Sequence, residues 1–588
     1  MNENNQTLKT TFAAAIENYK KRDFKTAEIY CYKILSIDSN HFDSITMLAS
    51  ISAHNSNYNK AIELLKKAIE VQPKNIRALH NLGTAYKELG KLKEAINYYQ
   101  KVLQIDPKHT NAHYNLGLVF HKLNEFKTAK IYLKKTVEIQ NNFALAFFCL
   151  ANVHVELKEF NEAVSCYQKA IEINPNLASA HNNLGLVYRG LNDFKNATSH
   201  YEKAIQIQPD HAGAHHNLAL AFKEMGEFEK AIKSHQTAIK YEPENLAHYF
   251  YLSELKKDIL NPALKKIIIK IITNEKSTKN NLAWGNHLLA KYERKTKNYE
   301  KELNYLIKGH QNYFLSKKKK FDLGVKYCFD DVIQIMEGAK VEKLGQKKDD
   351  QLKPIFIIGV PRCGSTLVEK IIGSGKKFVP MGEETGVLEN FINAKILEKQ
   401  SLNLGAVQDI RNELSDIYKQ KGIISKKYEY TFTDKSLNNF FYLELINEIY
   451  PNAKIINCNR NVLSSIMSIF QNNLTELAWT HDLENIFKYF NNYLEINNNY
   501  NEVNPNIIYQ LQFEKLANNP VEESKNLMKF CELPWDKKCL EFYKRKDLIS
   551  KTASNVQIRE AIYKHSLEKY LPYKIFLDKY GKKFSWFN

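Results

Sequence analysis

The chain lacks several features of secreted and membrane-spanning proteins. Its eight cysteines include no CxxC pair, and none has metal-ligand spacing with a histidine. No apolar run approaches the ~20 residues that a membrane-spanning helix needs. The first residues, Met1–Gln6, lack the basic and apolar segments of a signal peptide. We therefore expect buried thiols in a reducing compartment, the cytoplasm, with no metal site and no membrane partner.

Arginine is also scarce. The sequence has 9 arginines against 75 lysines, and its formal net charge is +19. Such a charge suits anionic partners, but the abundance of Lys, Asn and Ile indicates a codon-composition bias, and no nucleic-acid-binding motif accompanies the charge. We expect no nucleic-acid partner. Since this chain uses lysine by default, an arginine is expected to serve for its forked, bidentate geometry.

A repeat of 34 residues fills residues 8–245 seven times. Alanine recurs at this interval from Ala27 to Ala231, leucine recurs from Leu48 to Leu218, and a proline closes most of the repeats. A period of 34 with these residues is typical of the tetratricopeptide repeat (TPR), a pair of antiparallel helices. The pattern predicts an all-α solenoid with a concave inner face.

One position of the repeat, just before a pair formed by leucine and a small residue, is often polar. It is occupied by Asn81, Asn115, Asn183 and Asn217, and by Cys149 in one repeat. A row of side-chain amides can bind the backbone of an extended peptide, and this row resembles the asparagine ladder of the eukaryotic O-linked N-acetylglucosamine transferase. The alternative is that each asparagine caps or bridges neighbouring helices, and both interpretations stay open.

The rest of the chain divides into two parts. Residues 246–350 predict a helical connector whose Lys- and Asp-rich end, 338–351, is the expected domain boundary. Residues 351–588 alternate strand-like and helix-like segments, which predicts an α/β domain with a parallel sheet. The fold class is therefore multidomain: an N-terminal all-α solenoid at 8–245, the connector, and a C-terminal P-loop-like α/β domain.

A phosphate-binding loop is predicted at the start of the α/β domain. Ile355-Phe-Ile-Ile358 has the pattern of a buried strand, and Gly359-Val-Pro-Arg-Cys-Gly-Ser-Thr-Leu367 follows it before a helix. Loop N–H groups and the N terminus of the next helix favour an anion at such a junction. Two glycines have the Walker A spacing, but Ser365 replaces the lysine that contacts a triphosphate. Arg362 supplies a forked cation that suits a compact tetrahedral anion.

The segment Pro361–Leu367 resembles the 5′-phosphosulfate loop of sulfotransferases, usually Pro-Arg-Ser-Gly-(Ser/Thr)-Thr-Leu. The resemblance implies that the donor is 3′-phosphoadenosine 5′-phosphosulfate (PAPS), used as a co-substrate without a metal. It implies donor contacts from Arg362, Cys363, Gly364, Ser365, Thr366 and Leu367. Cys363 replaces the usual serine, which removes a hydroxyl donor.

A second set of donor contacts follows from later motifs. Asn452–Arg460 predicts a strand ending at Arg460, and Ser468 lies eight residues further on, in a predicted helix. This pair resembles the 3′-phosphate clamp of the family, although Asn472 replaces a second arginine often found there. The C-terminal segment resembles bacterial TPR-containing sulfotransferases, which implies that Gln557 lies over the adenine and Lys569 contacts the nucleotide.

Three residues are the candidate catalytic groups. Gly382-Glu-Glu384 resembles the protein-tyrosine sulfotransferases, whose second glutamate is the general base, and Glu384 matches it. Glu383 is the alternative, because one extra residue separates this motif from the loop. Lys435 lies at the carboxyl end of a strand-like segment, and open α/β sheets bind ligands at the carboxyl ends of their strands. Ser554 fits the catalytic serine of the tyrosine enzymes.

The sequence thus resembles a TPR-fused sulfotransferase that transfers a sulfuryl group from PAPS to an acceptor hydroxyl. The favoured acceptor is a protein or peptide, with a tyrosine presented by the repeat groove. One alternative is a TPR scaffold with a degenerate nucleotide-binding domain, which Cys363, Asn472 and Phe513 favour because each departs from the family pattern. Another is a nucleotide-dependent kinase, if a different cation replaces the Walker lysine.

Overall fold

The computed structural model describes residues 2–342, 352–424, 431–545, 552, 557–559, 561–562 and 567–587, without the side chains of 2–5, 557 and 567–569. The chain forms two compact units, Met1–Pro209 and Asp210–Asn588. Within the described ranges, none of the helices is both long enough and apolar enough to cross a membrane.

The first unit consists of six helical hairpins, and these confirm the predicted all-α solenoid. The first helices are α1 (Asn2–Lys20), α3 (Phe42–His54), α5 (Ile76–Glu88), α7 (Thr110–Lys122), α9 (Ala144–Glu156) and α11 (Ala178–Gly190). The second helices are α2 (Phe24–Ile37), α4 (Tyr58–Val71), α6 (Leu92–Ile105), α8 (Phe126–Ile139), α10 (Phe160–Ile173) and α12 (Phe194–Ile207).

Small residues allow the two helices of a hairpin to pack closely. The periodic alanines of the second helices are fully buried: Ala27, Ala61, Ala95, Ala129, Ala163 and Ala197. On α11, a Cβ added to Gly185 would lie 2.7 Å from the ring of Tyr201 on α12. That distance is too short for a real side chain, so the close approach explains why the repeat needs small residues at these positions.

The second unit begins with more helices of the same spacing. They are α13 (Ala212–Met225), α14 (Phe228–Tyr241), α15 (Leu246–Leu255), α16 (Pro262–Ile272), α17 (Lys279–Lys295) and α18 (Tyr299–Ser316). The starts of α13, α15 and α17 are 34 and 33 residues apart, so the repeat period continues into the predicted connector. The helices α19 (Lys318–Lys326) and α20 (Val332–Gly338) follow.

The remainder contains a five-stranded parallel sheet, which confirms the predicted α/β fold. The strands are β1 (Lys340–Glu342), β2 (Lys353–Ile358), β3 (Met381–Glu383), β4 (Asn403–Ala406), β5 (Thr431–Lys435), β6 (Lys454–Asn459) and β7 (Ile508–Gln512). The main sheet has the order β3-β5-β2-β6-β7, and β1 pairs with β4. The helices are α21 (Ser365–Gly373), α22 (Val387–Lys399), α23 (Val407–Gln420), α24 (Leu443–Ile449), α25 (Val462–Phe470), α26 (Leu483–Val503), α27 (Phe513–Asn518), α28 (Pro520–Phe530) and α29 (Lys574–Gly581).

The central strand β2 positions the site. It pairs with β5 on one side and with β6 on the other, and its residues Ile355–Ile358 are buried. Since parallel strands have their carboxyl ends at one edge of the sheet, the segments after β2, β5 and β6 lie side by side. The loop after β2 is therefore close to the end of β5 at Lys435 and to Arg460, the residue after β6.

Candidate active site

The loop between β2 and α21 has an unusual backbone. Gly359, Arg362 and Gly364 have φ values of +146°, +69° and +102°. A Cβ on Gly359 would lie 2.6 Å from the sulfur of Cys363, and a Cβ on Gly364 would overlap the ring of Phe513. These two positions therefore require glycine both for their conformation and for space. The loop leads into the N terminus of α21, where the helix dipole favours an anion.

Cys363 lies in the core rather than on the open side of the loop. Its side chain is fully buried, its N–H donates to the carbonyl of Val360 at 3.3 Å, and its thiol contacts that of Cys458. The hydrogen bond with Cys458 lowers the pKa of Cys363, although burial opposes it. This packing accounts for a cysteine at this position, and a donor contact from Cys363 stays a prediction.

Three predicted donor residues from separate segments meet beside the loop. Arg362 Nε donates to Ser468 Oγ on α25 at 3.0 Å, and Arg460 Nη1 donates to the carbonyl oxygen of Arg362 at 2.9 Å. The guanidinium of Arg460 lies 5.0 Å from the ring centre of Phe513. Its buried Nε has no hydrogen-bond partner among the described residues. The Arg362 guanidinium thus contacts the Ser468 hydroxyl, and the Arg460 guanidinium binds the backbone of the same loop. Guanidinium and hydroxyl groups of this kind are well suited to a phosphate or sulfate.

The candidate catalytic pair Glu384 and Lys435 is in direct contact. Lys435 Nζ lies 2.6 Å from Glu384 Oε1 and 3.9 Å from Glu383 Oε1. Burial disfavours the charged ammonium of Lys435, but the neighbouring carboxylates, Glu384 first, outweigh it and raise the pKa of Lys435. Glu384 has a φ of +53°, and its N–H donates to the Lys435 carbonyl at 2.7 Å. Its side chain is 34% exposed, whereas that of Lys435 is 3% exposed.

A buried charge cluster lies behind this pair. Lys370 Nζ on α21 donates to Glu383 Oε2 at 3.3 Å and lies 4.0 Å from Glu369 Oε2. Glu369 accepts a hydrogen bond from Thr433 on β5 at 2.7 Å. Burial raises the pKa of Glu369 to about 7, although Lys370 opposes this shift. Glu383 is thus held by a buried lysine, and Glu384 has the more open position.

Glu369 and Lys370 were not among the predicted site residues. A charged pair between the apolar residues Val368 and Ile371, on the first helix after a buried strand, was the available signal. Both side chains are at least 99% buried. Helical periodicity does not reveal that these charges face β3 and β5 instead of solvent.

The remaining predicted donor residues are only partly within the described part of the chain. Thr366 Oγ1 donates to Thr552 Oγ1 at 3.4 Å, so the start of α21 contacts the segment that precedes Ser554. Ser554 itself lies outside the described residues. Gln557 and Lys569 belong to short 3-10 helices, Gln557–Arg559 and Leu567–Tyr573, but their side chains are outside the described part of the chain.

The predicted asparagine row is buried or half-buried: Asn81, Asn115, Asn183 and Asn217. Asn115 Nδ2 contacts His80 Nε2 at 3.1 Å, and Asn183 Nδ2 donates to Asn152 Oδ1 at 3.1 Å. Each contact joins the first helices of successive repeats. These contacts favour the bridging interpretation for Asn115 and Asn183, and peptide binding by the row stays a prediction.

Comparisons with known families match both parts of the chain. Residues 354–537 match the Sulfotransferase family. Residues 83–124 and 151–192 match one TPR family, and 110–143 and 176–241 match two further TPR families. Residues 20–102 match the anaphase-promoting complex subunit 3 family. The chain therefore combines TPR repeats with a sulfotransferase-family domain.

Individual relatives are distant. An uncharacterised protein of Aquifex aeolicus is 28% identical over 53% of this chain, which spans 42% of that protein's length. A UDP-N-acetylglucosamine–peptide N-acetylglucosaminyltransferase of Caenorhabditis elegans is 34% identical over 15% of this chain and 8% of its own length. A candidate protein-tyrosine sulfotransferase of Caenorhabditis briggsae is 25% identical over 35% of this chain and 77% of its own length. A crystal structure of MamA is 30% identical, covers 28% of this chain and 95% of its own, and has a TM-score of 0.27.

Proposed function

We propose that the protein is a sulfotransferase that transfers a sulfuryl group from PAPS to an acceptor hydroxyl in the cytoplasm. The observation that carries the proposal is the meeting of Arg362, Ser468 and Arg460 beside the N terminus of α21, with the Glu384–Lys435 pair at the same edge of the sheet. We assign the chemistry to residues 351–588 and acceptor binding to the repeats.

The donor would be held by two groups of residues. Arg460 and Ser468 would bind the 3′-phosphate. The buried Nε of Arg460 supports this role, because it has no partner in the part of the chain that the structure describes and a buried donor without a partner is costly. Arg362, Gly364, Ser365 and the N terminus of α21 would bind the 5′-phosphosulfate, as anions favour such a terminus.

The Glu384–Lys435 pair accounts for the transfer step. Glu384 accepts the proton of the acceptor hydroxyl, and a positioned general base contributes roughly 10²–10⁴ in rate. Lys435 remains an ammonium because the adjacent carboxylates raise its pKa, so it can neutralise the charge that develops on the leaving phosphate. The open position of Glu384 favours it as the base over Glu383, which is bound to buried Lys370.

We propose a protein or peptide acceptor with acidic residues near the accepting side chain, a tyrosine. Support comes from the helices α13, α15 and α17. Lys223 Nζ lies 2.6 Å from Glu254 Oε2, and Lys291 Nζ donates to Ser253 Oγ at 2.8 Å. Two lysines accompany one glutamate, so the cluster keeps a net positive charge, which attracts acidic partners. Burial lowers the pKa of Lys291 to about 8.

The donor is tested by thermal unfolding with adenosine 3′,5′-bisphosphate and, separately, with ATP and Mg²⁺. A ligand that binds the folded state raises the melting temperature by mass action, with about 2.7 kcal/mol of stabilisation at 100 times its Kd. We expect a rise with the bisphosphate and little change with ATP. The opposite ranking would restore the kinase alternative, and no response to either would favour the scaffold.

The acceptor is tested with labelled PAPS and two tyrosine peptides, one with flanking Asp and Glu and one with Asn and Gln at the same positions. We expect the acidic peptide to be labelled faster. The advantage should shrink when Lys223, Glu254 and Lys291 are all replaced by Gln, which removes the charge without leaving one ion unpaired. Equal labelling of both peptides by the natural chain would contradict an acidic acceptor.

A further inference from the structure

The 3-10 helix Gln557–Arg559 is fixed at both of its faces. The side chain of Ile558 is 3% exposed and belongs to the core of the α/β part. The helix also packs against α21, the helix that follows the phosphate-binding loop. Its last residue, Arg559, extends in another direction, towards the seventh repeat. The helix therefore links that repeat to the donor side of the sheet.

The turn between α13 and α14, in the seventh repeat, forms a binding site for the side chain of Arg559. Arg559 Nη2 donates to the carbonyl oxygen of Glu224 at 3.1 Å, and its guanidinium lies 5.9 Å from the ring centre of Phe228. Gly226 ends α13 with a φ of +80°, and a Cβ at this position would overlap the guanidinium. The glycine thus gives the turn its shape and also leaves space for the arginine.

The same turn contains a residue of the proposed acceptor region. Lys223, which pairs with Glu254, immediately precedes Glu224, whose carbonyl binds Arg559. One helix end therefore contacts both the lysine–glutamate cluster and the segment beside α21. A planar guanidinium can bind a carbonyl and pack on a ring at once, which an ammonium does less well. Since arginine is scarce in this chain, its presence at position 559 fits a need for that geometry.

We propose that Arg559 is a positioning residue that holds the segment 557–559 beside α21 and so makes the affinity for the donor depend on the seventh repeat. The inference rests on the proposed function, since it concerns the same donor site. Its physical basis is preorganisation. A segment that is already ordered in the free protein does not have to be ordered when the ligand binds, so binding does not lose the free energy that this ordering would cost. The repeat thereby acts on the donor site as well as on the acceptor.

The test is a double-mutant cycle on the full chain, with Arg559→Ala, Phe228→Leu and both together. The affinity for adenosine 3′,5′-bisphosphate is measured by calorimetry. We expect Arg559→Ala to raise the Kd roughly tenfold, through loss of a charge-assisted hydrogen bond and a ring contact. Phe228→Leu should raise it by about threefold, and the double variant should resemble Arg559→Ala because the two side chains share one contact. Arg77→Ala, an exposed arginine in the first unit, is the control.

Kinetics separate positioning from simple stabilisation. Arg559→Ala should raise the KM for PAPS and leave kcat at saturating PAPS within about twofold, whereas a general loss of folded protein would lower kcat. Arg559→Lys, which keeps the charge, should be intermediate and remains informative if the alanine variant unfolds. Normal bisphosphate binding in all variants, or strictly additive effects, would overturn this inference alone. Failure of the natural chain to bind the bisphosphate would overturn the proposed function as well.

Discussion

Arg460 is the residue whose removal should most clearly damage donor binding. In Arg460→Ala the chain loses the 2.9 Å hydrogen bond to the Arg362 carbonyl and the packing on Phe513. Arg362 has a φ of +69°, so its conformation depends on such outside contacts. The variant therefore removes a cation from the proposed phosphate site and a support from the loop next to it.

The expected rise in Kd follows from the loss of a buried charge partner of the proposed phosphate. Truncation of one partner of a buried, hydrogen-bonded charge pair costs about 2–5 kcal/mol of binding free energy. At about 1.4 kcal/mol for each factor of ten, the Kd for adenosine 3′,5′-bisphosphate should rise by roughly 30-fold to about 4000-fold. The Kd of Arg460→Lys should lie between those of the natural chain and Arg460→Ala, because an ammonium keeps the charge but loses the bidentate geometry of the guanidinium.

The assay is calorimetric titration of the bisphosphate at fixed ionic strength, since salt screens such contacts. The melting temperature of each ligand-free variant is measured in parallel, to separate a weakened site from an unfolded chain. Arg77→Ala serves as the control for loss of one positive charge. A folded Arg460→Ala variant whose Kd rises less than about fivefold would refute the assignment of Arg460 to the phosphate.

Three further predictions concern the base, the hairpin and pH. Glu384→Gln should lower kcat by roughly 10²–10⁴ with unchanged bisphosphate affinity, measured by single-turnover transfer, whereas Glu383→Gln should retain more activity. Gly185→Ala should lower the free energy of unfolding by about 1–3 kcal/mol in urea titrations, because its Cβ would lie 2.7 Å from a tyrosine ring. Burial raises the pKa of Glu369 from 4.5 to about 7, so the free energy of unfolding should fall as pH rises from about 4.5 to 7, and Glu369→Gln should flatten that fall in urea titrations at several pH values.

Each of these predictions has a matched comparison. Wild-type kcat in Glu384→Gln, together with loss of activity in Glu383→Gln, would reassign the base. Gly190→Ala lies in the same helix, and no atom of the described residues is within 4 Å of the added Cβ, so this variant should be neutral or stabilising. An equal loss at both glycines would contradict the steric argument. An unchanged pH profile in Glu369→Gln would show that its proton does not account for the slope.

The repeats and the sheet could be predicted because their signals are local and periodic. An alanine every 34 residues and an apolar run before a glycine loop report burial directly. The continuation of the 34-residue repeat into α15–α18 was harder to predict. There the pair Leu252-Ser253 keeps the period, but Lys265 stands where the second helix should have its alanine. The connector therefore has the repeat's spacing without one of its defining residues.

The site could be predicted only in part, because several of its contacts join residues far apart in the chain. Motif resemblance pointed to Arg362, Ser468 and Arg460, whose mutual contacts the structure describes. It did not indicate Lys370, whose charge faces a strand instead of water. The contact between Arg559 and Glu224 joins positions 335 residues apart, and no local pattern encodes it.

The boundary between the two compact units, after Pro209, has a consequence for shortened or lengthened chains. A chain that begins at residue 246, after the last predicted repeat, would lack both Glu224 and Phe228. The guanidinium of Arg559 would then lose its hydrogen bond to the Glu224 carbonyl and its contact with the Phe228 ring. A chain that begins at Asp210 would keep them. We therefore expect that a shortened chain must start before α13 (Ala212–Met225), so that the whole seventh repeat stays with the α/β domain.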